Sequence, residues 1–136
     1  MPRARTAAGL LLAAAAAIAG AALGQEDEGD LSPEDRKAME AAERDALALG
    51  GKVFRDAALG TNDRSCATCH DNPKRKDLSL KGVTARFPRW DRQAGRVITL
   101  QEKFVQMQER SLKARKTLPL GDARWTALEM HLRGLK

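Results

Sequence analysis

The run Cys66-Ala67-Thr68-Cys69-His70 constrains this chain more than any other stretch of it. C-x-x-C-H is the attachment pattern of a c-type haem. Two thiols at that spacing add across the two vinyl groups on one edge of a porphyrin, and the histidine directly after them comes to lie under the iron. Neutral imidazole is the usual proximal ligand there. The chain has 2 cysteines, both in this motif. A disulfide between them would close too short a loop to staple a fold. A thioredoxin-like redox pair needs a βαβ setting that the flanking pattern lacks. A structural zinc site needs two further good ligands, and His131 is the one other histidine. The motif predicts one covalent haem c, attached at Cys66 and Cys69 and ligated by His70.

Composition supports that expectation. At 136 residues the chain has room for one domain. A charged fraction of 31% and a mean hydropathy of -0.47 exclude a polytopic membrane protein, and 43% hydrophobic residues argue against a wholly disordered one. Three Phe, two Trp and no Tyr are thin for a core of this size. A flat apolar macrocycle would supply the missing large hydrophobe and staple a domain of marginal size.

The first 24 residues read as an address. Arg3 and Arg5 precede an uncharged, Ala- and Leu-rich run from Thr6 to Leu23, and Ala22-Leu23-Gly24 presents small residues where a signal peptidase reads. The alternative is an uncut anchor, for which the run is short and weakly apolar. Cleavage predicts a periplasmic protein with no integral membrane span left. Charge then divides along the chain. Residues 25–70 hold 6 basic and 11 acidic side chains, net −5, whereas residues 71–136 hold 16 and 7, net +9. In an exported protein a basic half suits anionic small molecules, acidic proteins or lipid headgroups, and nucleic acid is not an expected partner. A solvated charged face accounts for the same residues.

Residues 25–45 are expected to be an acidic leader running into the first helix, with the haem domain at 46–136. Ser32, Pro33 and Asp35 form a helix start. Gly50-Gly51 is expected to interrupt that helix, with a second helical stretch from Lys52 to Leu59. Residues 71–98 read as loop punctuated by Pro73, Gly82, Pro88 and Gly95, with Arg96–Thr99 as a possible brief strand. Thr99-x-x-Glu102 caps a helix from Leu100 to about Leu112. Asp122 caps a last helix to about Leu135, with Trp125, Leu128, Leu132 and Leu135 on one stripe. Phe54 and Trp125 suggest a crossing of first and last helices, with Gly51 allowing close approach.

The second axial ligand decides what a haem does. Met107 shares a helix face with Leu100, Phe104 and Ser111, which should point at the iron. Met130 falls on the back of its helix, and Met39 at the outer end of the first. A plain core methionine is the alternative for Met107. Arg86, Arg89, Trp90 and Arg92 lie in the loop expected to pass the haem edge, where arginine can bond propionates in a bidentate way; exposed charge is the alternative. Lys113, Arg115 and Lys116 can steer an acidic redox partner, or form a solvated basic turn.

Beyond these motifs, SCATCH, LKGVTARFP (Leu80–Pro88) and LQEKFVQM (Leu100–Met107) are similar to the C-terminal haem domain of SoxA-type sulfur-oxidation cytochromes and to thiosulfate dehydrogenases of the same superfamily. The resemblance covers about residues 50–135. It implies an all-α fold, a small cytochrome c-like helical domain wrapped around one covalent haem, in a sulfur-oxidation setting with another cytochrome as redox partner. In that family the last run reads like L-x-x-R-I-N-x-C, its cysteine being the distal ligand and sulfur-binding site. Here Lys103 matches the arginine and Met107 the cysteine, and the arginine after the ligand is replaced by Gln108. A thioether already carries two carbons and cannot take up a sulfane sulfur atom. That departure keeps the fold and the sulfur-oxidation setting but weakens catalysis, and His70/Met107 ligation leads us to expect a carrier of single electrons. A haem enzyme acting on a sulfur anion, or a degenerate partner-binding subunit, are the alternatives.

Overall fold

The computed structural model describes residues 31–135. The expected signal segment at 1–24 and residues 25–30 of the leader lie outside the described residues. From Ser32 onward the chain forms one compact unit.

Helix α1 spans Pro33–Arg55 and is continuous. Ser32 caps it, its Oγ accepting from the Asp35 N–H at 3.1 Å. Glu34 and Asp35 in the first turn, with Lys52 and Arg55 in the last, complement the helix dipole. Gly50-Gly51 does not interrupt it, contrary to expectation. Two interior glycines cost about 1 kcal/mol each against alanine, but Gly50 lies where the last helix crosses. A Cβ at Gly50 would stand 2.0 Å from the Ala127 carbonyl oxygen, whereas one at Gly51 would meet only the His131 ring at 3.6 Å. The close approach expected at Gly51 therefore belongs to Gly50.

Short helix α2 is Cys66–His70. Single 3₁₀ turns occupy Ala57–Leu59, Lys76–Leu78 and Thr84–Arg86. The all-α expectation needs one correction. Strands β1 (Arg89–Asp91) and β2 (Arg96–Ile98) pair antiparallel, with Arg89 opposite Ile98. The chain turns back because Asp91 Oδ1 accepts from the N–H groups of Gln93 (3.0 Å) and Ala94 (2.8 Å). The Gly95 N–H then bonds the Asp91 carbonyl, with Gly95 at φ 65°. Helix α3 (Leu100–Arg110) opens with the reciprocal box expected of Thr99 and Glu102. Helix α4 (Ala123–Arg133) starts at Asp122, whose carboxylate accepts from the Arg124 N–H.

The core joins Val53 and Phe54 of α1 to Trp125, Leu128 and Leu132 of α4, with Leu59, Val83, Leu100 and Leu112 added from between. Side chains of this kind contribute about 1.5–3 kcal/mol each when fully buried. Only the end of α1 takes part; Met39, Leu47 and Leu49 remain exposed. Among the described residues no helix is long and apolar enough to cross a membrane.

Candidate functional site

A cavity of about 610 Å³ opens between these helices, within the roughly 300–1,000 Å³ typical of cofactor sites. Helix α2 brings Cys66, Cys69 and His70 to its wall; α3 brings Phe104 and Met107; α1 and α4 supply Phe54, Trp125 and Leu128. Residues 41 positions apart in sequence, Cys66 and Met107, thus face one apolar space.

The motif is held in place locally. The Ser65 N–H donates to Thr68 Oγ1 at 3.0 Å, fixing the first turn of α2. His70 Nδ1 lies 2.5 Å from the Leu78 carbonyl oxygen. A carbonyl can only accept, so Nδ1 carries a proton, which leaves Nε2 as the ring nitrogen that could bind a metal. A histidine that ligates a metal through one ring nitrogen is oriented by such a bond at the other. Burial pushes the Cys66 thiol up to about 11. A thioredoxin-type pair needs the opposite shift, towards thiolate at neutral pH. The zinc alternative lacks donors too: among the described residues no group of three or more His, Cys, Asp or Glu is placed to hold a metal ion.

Met107 lines the cavity, and neither Met39 nor Met130 does. Met39 is 48% exposed on the outer part of α1. The Ser111 hydroxyl donates to Met107 Sδ at 3.5 Å. Arg86 and Arg89 both reach the lining, as do Arg64, Arg110 and Lys113. Arg89 also rests over the Phe87 ring, 4.7 Å from its centroid. Trp90 and Arg92, expected with them, lie off the cavity, and Trp90 is 65% exposed. Arg115 and Lys116 are exposed and off it as well.

Lys103 Nζ is already engaged, bonding Asp91 Oδ2 at 3.0 Å and Gln106 Oε1 at 3.1 Å. The Asp91 carboxyl is held below the usual carboxylate range, first by the Ala94 N–H and then by the Lys103 ammonium. Lys103 is thus an anchor for the hairpin.

Two buried polar atoms on cavity-lining residues have no partner, Trp125 Nε1 and Asn62 Oδ1. Such atoms cost about 1–3 kcal/mol each when unsatisfied. Apolar walls, two thiols, an imidazole of fixed tautomer, a thioether and arginines at the rim together fit a haem.

Sequence reasoning missed three features. The Leu78 carbonyl is a backbone group with no side-chain mark. Gln108, noted only as a replacement for the family's arginine, is 2% exposed, donating to the Leu59 carbonyl and accepting from the Leu118 N–H; nothing in its local pattern marked that buried role. Asp91 carried a turn-forming pattern, D-x-x-x-G, that goes with the hairpin.

A family model described as SoxA/TsdA, cytochrome c domain, matches residues 50–133. Among curated proteins and among solved structures, nothing matches this chain significantly.

Proposed function

Because the chain belongs to the SoxA/TsdA cytochrome c domain family, we propose that it is a periplasmic monohaem c-type cytochrome carrying single electrons in the oxidation of thiosulfate or related sulfur compounds. The observation that supports this best is the sharing of one apolar cavity by Cys66, Cys69, His70 and Met107. Cys66 and Cys69 would hold haem c through thioether bonds, and His70 Nε2 and Met107 Sδ would ligate its iron. Haem so bound supplies a one-electron iron couple, and histidine–methionine ligation raises its potential. The chain's own part is to orient His70 through Leu78, to present Met107, and to keep water off the iron with Phe104, Trp125 and Leu128. Arg86 and Arg89 would pair with the propionates.

Two features favour a carrier over an enzyme. Met107 stands where the family's sulfur-accepting cysteine would be. Lys103, at the position of the family's arginine, is bound to Asp91 and Gln106 and is not free to draw in an anion. Arg64, Arg110 and Lys113, exposed at the cavity beyond the arginines assigned to the propionates, suit an acidic protein as redox partner, such as another cytochrome of the system.

The test is the absorption spectrum of protein made in a host that matures c-type haem. A weak far-red sulfur-to-iron charge-transfer band is expected in the oxidised protein and should vanish in Met107→Ala. Its absence from the wild type would remove Met107 from the iron. Saturable thiosulfate oxidation by the pure protein, with no second cytochrome present, would overturn the carrier reading.

A further inference from the structure

Helix α3 ends at a corner built around Met107. Ser111 is its C-cap, four residues on and therefore on the same face. A serine at this spacing ordinarily turns its hydroxyl back to the carbonyl four residues earlier. Here the Met107 carbonyl is already taken, by the Ser111 N–H at 2.8 Å and the Leu112 N–H at 3.1 Å. The hydroxyl points instead at Met107 Sδ, 3.5 Å away. The corner is strapped from outside. Asn62 Nδ2 donates to the Ser111 carbonyl (2.9 Å), Thr61 Oγ1 to the Lys113 carbonyl (2.7 Å), and the Thr61 N–H to the Leu112 carbonyl (2.9 Å). Gly60 lets that strap lie close, since a Cβ there would stand 2.0 Å from the Leu112 carbonyl oxygen. Ser111 is thus held with its hydroxyl against the sulfur.

We propose that Ser111 is a positioning residue that sets the grip of Met107 on the haem iron through a hydrogen bond to its sulfur. The inference rests on the reading of Met107 as the distal ligand. A thioether sulfur has two lone pairs. One goes to the iron and the other receives the Ser111 proton, which makes the sulfur a poorer donor. Ferric iron draws harder on that donor than ferrous iron does, so the hydroxyl disfavours the oxidised state. It raises the reduction potential and makes the ferric methionine bond easier to displace.

The test uses haem-loaded full-length protein carrying Ser111→Ala, Ser111→Thr, Met107→Ala or Thr61→Val. Its readouts are the far-red band, the reduction potential, and displacement of methionine by added imidazole in the ferric state. In Ser111→Ala the band should persist, shifted in wavelength. Imidazole affinity should fall about threefold, the lower end of what one net hydrogen bond gives. The potential should fall correspondingly, about 30 mV at 59 mV per decade for a one-electron couple. Ser111→Thr keeps a hydroxyl and should restore both values. Thr61→Val removes one strap bond but keeps those of the Asn62 amide and the Thr61 N–H, so Ser111 stays held and the shifts should be much smaller than in Ser111→Ala. A retained band with wild-type potential and imidazole affinity in Ser111→Ala overturns the role of Ser111 and leaves Met107 as ligand. Equal shifts in Thr61→Val and Ser111→Ala reduce the effect to general loosening and overturn it too. A wild-type spectrum without the band, unchanged by Met107→Ala, overturns the ligand reading itself.

Discussion

Gly50 and Gly51 look alike in sequence, and only the crossing of α4 tells them apart. Gly50→Ala would force a methyl into the Ala127 carbonyl at 2.0 Å. Because the obstacle is backbone, the helices must part, and we expect a loss of about 3 kcal/mol, the upper end of overpacking effects. Gly51→Ala meets a side-chain ring at 3.6 Å and should be neutral or stabilising by up to about 1 kcal/mol through helix propensity. Urea unfolding of the two variants checks the contrast. The same pair shows what could be read at this scale. Cys66, Cys69 and His70 could be singled out by residue type and spacing alone, and Met107 by its helix face and the resemblance; the structure brings all four to one cavity. The choice of Gly50 over Gly51, the Leu78 carbonyl and the buried Gln108 depend on how one element is rotated against another, which no local pattern carries.

At the scale of elements, caps were the most legible features, since a cap is a short-range arrangement. The Thr99–Glu102 box and the Ser32 and Asp122 caps stand where the sequence places them. Thr99→Ala should cost about 1 kcal/mol, measured by thermal or urea unfolding. The hairpin was less legible, because three-residue strands show too little alternation to register. Its integrity depends on charge. The Asp91 carboxyl is depressed by the Ala94 N–H and the Lys103 ammonium, and Glu102 by Arg96 and by the Thr99 N–H. Asp122 is lowered to about 2 by its Arg124 partner. A carboxylate depressed on folding stabilises fully above its unfolded pKa of about 4 and loses that contribution as pH falls through the lower, folded value. Stability should therefore decline from about pH 4 towards pH 2, followed by circular dichroism. Glu129, raised by burial, acts in the opposite sense, contributing less as pH rises through its own range. Unchanged unfolding midpoints between pH 5 and pH 2.5 would contradict this account.

For the whole molecule, the cavity has walls from both ends of the described chain. Phe54 comes from α1, Cys66 and His70 from α2, Met107 from α3, and Trp125, Leu128 and Leu132 from α4. Cutting the chain after Gly121 removes α4 and with it Trp125, Leu128 and Leu132, three of the five largest fully buried side chains among the described residues. The truncated protein should lose the compact unit altogether, seen as loss of the cooperative unfolding transition. The contact that closes the molecule, Gly50 on Ala127, joins residues far apart in sequence. Such long-range closure comes late and slows folding. A chain emerging N-terminus first, from a ribosome or through a translocation pore, reaches the C-x-x-C-H motif some fifty residues before α4 arrives. Until then the wall made by Trp125, Leu128 and Leu132 is missing from the cavity that holds the two thiols. If the proposed haem is attached there, the order of emergence itself would leave a window in which a ligation enzyme could work on an open substrate, and the last helix would then shut the door behind it.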